Sequence, residues 1–201
     1  MNKPINSKDY VVLLPEYLNL WETMQINPSQ LALVTMCANR INNERARYTE
    51  IVEGTSVPWY LFGILHFMES GQNFNHHPHN GDPLTARTVN VPRGRPVLGT
   101  PPFTFAESAK DAIRYTKLDK WQNWQIGGLL YRIEAYNGFG YRNPQRAINS
   151  PYLWSMTNHY IKGKFVADGK FDKEAVSKQI GAAALLKRMI ELEFVTLRTS
   201  V

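Results

Sequence analysis

The sequence predicts a mainly α-helical domain with one small β lobe, and three features of the 201-residue chain indicate this. Apolar residues recur at helical spacing over several long stretches. Between residues 70 and 102, glycine, asparagine, histidine and proline predominate instead, and turn signals replace the helical spacing. No repeat and no Gly/Ser linker divides the chain. We therefore expect a single domain over residues 1–201, in which the polar segment 70–102 forms a small β-hairpin lobe or an irregular β/loop lobe that follows a buried helix.

Two helical patterns precede the polar segment. The first opens at Asn27-Pro28-Ser29, carries apolar residues on one face over positions 31–48, and ends at Gly54-Thr55-Ser56. The second runs from Trp59 to Glu69 and begins just after Pro58, a residue suited to the first turn of a helix. This second helix is apolar on nearly every face, which is typical of a buried helix.

Helical patterns resume after the polar segment. Thr104 and Glu107 have the spacing of a capping box and predict a helix that continues to about Thr116. Further helices are expected over residues 127–136, 151–160 and 172–193, the last capped by Asp172.

Charge and composition exclude several classes of protein. The formal net charge is +6 with an isoelectric point near 9.4, which favours polyanions such as nucleic acid, anionic lipid or wall polymers. No block of five basic residues and no nucleic-acid-binding motif occurs, so we expect no nucleic-acid partner. No stretch approaches the ~20 apolar residues of a membrane span, so we expect no membrane insertion. The single cysteine, Cys37, lies in an apolar run and is interpreted as a core residue.

Two carboxylates are candidates for acid–base chemistry. Glu69 closes the apolar helix and faces the polar segment, a position where burial favours the protonated carboxyl that a general acid requires. Asp82 lies thirteen positions later. Glycoside hydrolysis uses two carboxyl groups that flank the scissile bond, or one carboxyl and a positioned water. The alternatives are that Glu69 pairs with an arginine and that Asp82 forms an ordinary turn before Pro83.

Three short motifs resemble the lysozyme superfamily, in particular its goose-type lysozyme and lytic transglycosylase branches. Glu69-Ser70 and Asn73-Phe74-Asn75 resemble the helix-ending Glu-Ser and the nearby Phe-Asn of those enzymes. Ala135-Tyr136-Asn137-Gly138 resembles their cleft motif. The segments 77–88 and 150–160 also resemble parts of a group of bacterial and phage lysozyme-like proteins.

The resemblance implies an α+β lysozyme-like fold and cleavage of peptidoglycan between N-acetylmuramic acid and N-acetylglucosamine. It implies that Glu69 is the general acid. From the position of the residues in the polar segment, we expect that Asp82, with Thr85 or Thr88, steadies the oxocarbenium-like centre or positions water. The expected substrate contacts lie in the polar segment and around the Ala-Tyr-Asn-Gly motif: Thr85, Thr88, Tyr136, Asn137 and Tyr141. The Gly-Leu-Met-Gln-type segment of transglycosylases is missing after Glu69, which leaves the second catalytic group open.

Other functions remain open at this point. Lytic transglycosylation of the same bond differs from hydrolysis only in the group that captures the glycosyl centre, which is the sugar's own 6-hydroxyl in place of water. A zinc-dependent amidase or peptidase would use histidine and glutamate ligands, but no His-Glu-x-x-His motif occurs and His76, His77 and His79 are too closely spaced to converge easily. Chitin-type substrates and an inactive wall-binding module are further alternatives. We expect a hydrolase without metal or cofactor.

The expected partners and location follow from the same interpretation. The partner would be the peptidoglycan glycan strand, bound by a monomer. The N-terminal segment lacks the apolar core of a signal peptide. We therefore expect an endolysin-like protein that is made in the cytoplasm and reaches the wall by holin-type release or dedicated secretion.

Overall fold

The computed structural model describes residues 3–167 and 169–197, and this part of the chain is mainly helical. Its helices are α1 (Tyr10–Thr23), α2 (Leu31–Asn43), α3 (Arg45–Val52), α4 (Trp59–Ser70), α5 (Phe105–Tyr115), α6 (Ile126–Asn137), α7 (Pro151–Trp154) and α8 (Ala182–Glu191). Two strands, β1 (Lys164–Ala167) and β2 (Lys170–Asp172), pair antiparallel. None of the described helices has the length and apolar character that crossing a membrane requires. The prediction of a mainly α protein with one small hairpin is confirmed.

The chain folds into two compact units. The central unit comprises Arg40–Gln122, and the terminal unit comprises the chain up to Asn39 together with the chain from Asn123 onward. Each unit has its own buried apolar residues, including Leu61 and Phe62 in the central unit and Leu129 and Leu185 in the terminal unit. The expectation of one domain over residues 1–201 stays a prediction.

Helix α4 forms the core of the central unit, as its apolar sequence predicts. Its middle residues, including Leu61, Phe62, Ile64 and Leu65, are completely buried. Gly63 allows close packing, because a Cβ atom there would lie 2.8 Å from Ile41 Cγ2 and 3.1 Å from the ring of Tyr48. The helix ends where Gly71 adopts a left-handed conformation and donates its backbone N–H to the Phe67 carbonyl.

Helix α5 begins at the capping box that the sequence predicts. The Thr104 hydroxyl accepts a hydrogen bond from the backbone N–H of Glu107 at 3.2 Å. The Glu107 carboxylate in turn accepts one from the backbone N–H of Thr104 at 2.7 Å. Two N–H groups that the first helical turn leaves without helical partners are thereby satisfied, which fixes the start of α5 at Phe105.

Helix α1 in the terminal unit is not predicted by the sequence pattern, because Pro15 interrupts it. Asp9 caps this helix by accepting a hydrogen bond from the N–H of Val11 at 2.7 Å. The inner face buries Leu13 and Tyr17 and packs against α6, where glycine at position 127 leaves room for Leu14. Tertiary packing of the apolar face therefore outweighs the local cost of an exposed proline.

A buried charged cluster joins α1, α6 and the turn after α6. The Arg142 guanidinium donates two hydrogen bonds to the Glu134 carboxylate, at 2.9 and 2.8 Å, and a third to Glu16 at 2.6 Å. The Tyr17 hydroxyl donates to the same Glu134 carboxylate at 2.6 Å. Glu134 is about 1% exposed, so its charge depends on these donors in place of water.

The prediction of a β-hairpin within residues 70–102 is wrong, whereas the irregular β/loop lobe stays a prediction. This segment is described throughout and consists of turns, with one isolated bridge between His76 and Pro83. The hairpin of the structure lies at residues 164–172, in the terminal unit. The physical reason is that residues 78–102 include six prolines. Proline has no backbone N–H to donate to a hydrogen bond between strands.

Three predicted helices also require correction. The pattern over residues 27–53 is two helices, α2 and α3, separated at Glu44. The helix expected over 151–160 is the single turn α7, since Met156 adopts a positive φ of 63°. The helix expected over 172–193 begins only at Ala182, because the Asp172 carboxylate accepts the backbone N–H of Glu174 at 2.8 Å in a turn that follows β2.

Replacing Arg142 tests the buried charged cluster. Arg142→Ala leaves the Glu134 carboxylate buried beside Tyr17 without its cation, so the free energy of unfolding should fall by about 3–5 kcal/mol. Lys162→Ala is the matched control, because the Lys162–Glu174 pair is exposed and should contribute less than about 1 kcal/mol. Guanidinium unfolding followed by circular dichroism measures both. Equal losses in the two variants would contradict the role of the cluster.

Candidate functional site

Glu69 lies on the last turn of α4, where it is half-buried. Its backbone carbonyl is close to Gly81, since a Cβ atom at position 81 would lie only 2.9 Å from the Glu69 oxygen. Gly81 also has a φ of +81°, a conformation that favours glycine. The segment that carries Asp82 therefore packs directly on the end of the helix that carries Glu69. The structure brings these two predicted residues into one neighbourhood of the central unit.

The Asp82 carboxylate holds this segment together. It accepts hydrogen bonds from the backbone N–H groups of Val89 and Asn90, at 2.8 and 2.9 Å. The side-chain amides of Asn90 and Asn80 donate to it at 2.7 and 3.1 Å. Three of these hydrogen bonds reach Oδ2 and one reaches Oδ1. Asp82 anchors a loop in the structure, and its assignment as the second catalytic carboxyl stays a prediction.

The hydrogen bonds also determine the charge of Asp82. Burial raises the pKa of the carboxyl, but the hydrogen bonds from Asn90, Val89 and Asn80 lower it by more, and the resulting pKa lies below its ordinary value. Asp82 is therefore an anion at neutral pH. A fixed negative charge thus lies in the loop beside the end of α4.

The two threonines of the segment differ in accessibility. Thr88 is buried, and its hydroxyl donates to the Pro92 carbonyl and accepts from the backbone N–H of Arg95 at 2.9 Å. Thr85 is exposed. Of the two, only the Thr85 side chain is accessible from solvent, whereas Thr88 closes a turn of the loop.

His66 lies one turn before Glu69 and is completely buried. Its Nδ1 is 2.9 Å from the Tyr48 hydroxyl, and its Nε2 is 3.2 Å from the Asn73 carbonyl. Because a carbonyl only accepts hydrogen bonds, Nε2 carries the proton and Nδ1 accepts from Tyr48. Burial lowers the pKa of His66 to about 4, so the ring is neutral. His66 joins α3, α4 and the following loop.

His77 and His79, which the sequence analysis places in a polar lobe, are instead buried. His79 Nε2 lies 2.9 Å from the Asp111 carboxylate, and His77 Nδ1 lies 2.6 Å from the Ser108 hydroxyl. Ser108 is completely buried, so this Ser-His-Asp grouping is closed to a substrate. Among residues 3–167 and 169–197, no group of three or more His, Cys, Asp or Glu side chains is arranged to hold a metal ion.

The other predicted substrate contacts belong to the terminal unit. Tyr136 and Asn137 end helix α6, where Tyr136 is half-buried and Asn137 is exposed. Tyr141 is buried, and its hydroxyl accepts a hydrogen bond from the backbone N–H of Phe165 at 3.2 Å. Its ring also packs against Phe165 at a centroid distance of 5.1 Å. Tyr141 thus supports the hairpin, and its predicted contact with substrate stays a prediction.

A small cavity in the central unit was missed by the sequence analysis. It has a volume of about 220 Å³ and is lined by residues that include Arg47, Thr104, Phe105 and Lys110. The Arg47 guanidinium lies 3.6 Å from the centroid of the Phe74 ring. The charged stretch around Arg47 is typical of a solvated helix face, and no spacing in the sequence connects it to Phe74.

No protein-family model matches the chain, and searches of curated proteins and of solved structures also find no match. These comparisons give no indication of the lysozyme superfamily. The class of protein is therefore proposed from the site and the sequence motifs together.

The buried histidines predict a pH-dependent stability. Burial lowers the pKa values of His66 and His79 to about 4, whereas imidazoles of the unfolded chain titrate near 6.5. Between these values the unfolded chain binds more protons, so stability is lost as the pH falls. Each histidine should contribute about 2 kcal/mol of loss between pH 7 and pH 5. Guanidinium unfolding at both pH values measures this loss. His66→Gln should remove about half of it, and an unchanged loss in this variant would contradict the assignment.

Removing the Asp82 charge should loosen the loop. In Asp82→Ala, the backbone N–H groups of Val89 and Asn90 lose the carboxylate oxygen that accepts both of them. We expect the backbone amides of Val89 and Asn90 to exchange with deuterium at least about tenfold faster, while amides in the middle of α4 keep their protection. Hydrogen exchange with mass spectrometry measures both regions. Unchanged exchange at Val89 and Asn90 would show that Asp82 does not hold the loop.

Proposed function

We propose that this protein cleaves the glycan strand of peptidoglycan between N-acetylmuramic acid and N-acetylglucosamine, with Glu69 as the general acid. The observation that carries the proposal is the position of Glu69. It is the single carboxylate of an apolar helix, half-buried on the last turn, and it lies beside a loop fixed by the ionised Asp82. The Glu-Ser, Phe-Asn and Ala-Tyr-Asn-Gly motifs support the same assignment.

The end of a helix suits an acid that must hold its proton until the reaction. The last carbonyl groups of a helix carry partial negative charge, which disfavours an ionised carboxyl on the last turn. Glu69 would give its proton to the glycosidic oxygen as the bond breaks, and positive charge would develop on the departing glycosyl centre. The negative charge of Asp82 would favour that centre without Asp82 forming a bond to it.

Lytic transglycosylation is a second candidate, and the hydrogen bonds of Asp82 favour it. A carboxylate whose pKa is lowered by hydrogen bonds from Asn90, Val89 and Asn80 is a weak base for activating water. In a transglycosylase the 6-hydroxyl of the sugar captures the glycosyl centre, and no second catalytic carboxylate is required. Hydrolysis leaves new reducing ends, whereas transglycosylation leaves 1,6-anhydro ends, so the products distinguish the two reactions.

The proposal extends to partner and location. The glycan strand is the partner of a monomeric enzyme, and Thr85, in the same unit as Glu69, contributes a contact to it. The contacts expected of Tyr136 and Asn137 stay predictions. The enzyme reaches the wall through holin-type release or through dedicated secretion. The net charge of +6 favours its association with the anionic polymers of the wall.

Replacing the proposed acid is the decisive test. Glu69→Gln keeps the size of the side chain and removes the proton that it donates, so the rate of wall lysis should fall by at least about a hundredfold. Glu53→Gln is the matched control, since Glu53 is an exposed glutamate that follows α3 in the same unit. Purified sacculi are the substrate, and the released muropeptides are identified by mass spectrometry.

Each outcome of this experiment has a definite meaning. A folded Glu69→Gln protein that lyses sacculi at the wild-type rate would refute Glu69 as the acid. Wild-type protein that binds sacculi without releasing muropeptides would refute the enzyme and favour a wall-binding module. Cleavage restricted to amide bonds and blocked by a chelator would favour a zinc amidase or peptidase.

A further inference from the structure

A loop at residues 87–99, here called the arginine–valine loop, is held closed at its base. The Arg87 guanidinium donates to the Gly99 carbonyl at 2.7 Å. Inside the loop, the backbone N–H of Thr88 donates to Arg95 at 2.8 Å, and that of Gly94 donates to Thr88 at 2.8 Å. The Asp82 carboxylate, which lies outside the loop, accepts hydrogen bonds from the backbone N–H groups of Val89 and Asn90. These bonds fix the backbone of the loop.

The fixed backbone leaves large aliphatic side chains in water. Val89 is 63% exposed, Val91 84%, Val97 58% and Leu98 71%. Single exposed apolar residues are common on protein surfaces, but four within ten positions of one closed loop indicate an interaction surface. Their burial against a partner would remove an unfavourable contact with water that the loop itself cannot remove.

The charge of the surrounding sequence indicates an anionic partner. No aspartate or glutamate occurs between Pro83 and Ala106. Of the three arginines in the loop, Arg95 is paired with the Asp111 carboxylate at 3.4 Å, whereas Arg87 and Arg93 donate to backbone carbonyls of the loop. Arg93 donates to the Val89 carbonyl at 3.0 Å, which keeps this cation beside the exposed valines. The loop contains no aromatic residue, although stacking on sugars and anchoring in protein pockets both favour aromatic rings.

We propose that the arginine–valine loop docks the protein on an anionic lipid surface. The side chains of Val91 and Leu98 enter the boundary between headgroups and acyl chains, and Arg87 and Arg93 contact lipid phosphates. This is a peripheral contact of one loop and involves no membrane-spanning segment. It does not rest on catalysis by Glu69. Docking would hold the protein at a bacterial membrane surface.

Vesicle sedimentation tests the proposal with the full chain. Wild-type protein should sediment with vesicles of phosphatidylglycerol and phosphatidylethanolamine and should remain in solution with vesicles of phosphatidylcholine. Each methyl or methylene group that enters the interface favours binding about fourfold. The double variant Val91→Asp, Leu98→Asp should therefore bind the anionic vesicles at least about tenfold more weakly. Arg93→Ala should weaken binding about fivefold.

The matched control is Val11→Asp, because Val11 is 74% exposed but lies in α1 of the terminal unit. This variant should bind anionic vesicles like the wild type. All variants should keep the wild-type melting temperature and should act on isolated sacculi, which contain no membrane, like the wild type. Glu69→Gln should lose lysis of sacculi and keep its binding to anionic vesicles, which separates the two proposals.

Three results would overturn the proposal. The first is equal sedimentation of the double variant and the wild type with anionic vesicles. The second is equal binding of the wild type to anionic vesicles and to phosphatidylcholine. The third is a wild type that binds no vesicles, together with a double variant that no longer binds sacculi. This result would mean that the loop binds the wall polymer.

Discussion

The burial of α4 is the constraint on which the central unit depends. Most side chains of this helix are apolar, so the neighbouring elements must cover nearly its whole surface. Gly63 lets Ile41 and Tyr48 approach the helix closely. The same burial removes His66 from water, and the imidazole must find protein partners at both nitrogens. Tyr48 and the Asn73 carbonyl are these partners. The chain after α4 is therefore held to the helix, because the buried His66 depends on the Asn73 carbonyl for a hydrogen bond.

The loop beyond α4 satisfies its backbone through side chains because its prolines prevent a regular sheet. Asp82 accepts two backbone N–H groups, and Thr88 bonds one N–H and one carbonyl. These local bonds replace the ladder of a hairpin and give a fixed conformation without strands. A rigid loop beside a helix end is a suitable scaffold for a site, since its side chains keep their positions when a ligand approaches. The exposed valines are a consequence of the same rigidity.

The sequence predicts those features whose causes are local. The apolar run of α4 and the capping box of α5 lie within single elements, and both helices occur where expected. Helix α1 depends on packing against α6, which no local pattern reveals, and Pro15 argues against it. The turn signal at Asn80-Gly81 marks a turn but does not show whether the flanking residues pair. The position of Glu69 follows from the helix end, whereas the partners of Asp82 lie up to eight positions away and could not be predicted.

The two carboxyl groups of the proposed site differ in environment, and this difference is the physical basis of separate roles. Asp82 accepts four hydrogen bonds, each of which stabilises its ionised form, so it keeps its negative charge. Glu69 lies at the carboxyl end of an apolar helix, where the helix dipole disfavours a second negative charge. In the reaction that we propose, Glu69 would be the acid, and the Asp82 anion would stabilise the positive charge that develops as the glycosidic bond breaks. The hydrogen bonds that lower the pKa of Asp82 weaken it as a base, and they are compatible with the electrostatic role that we propose for it.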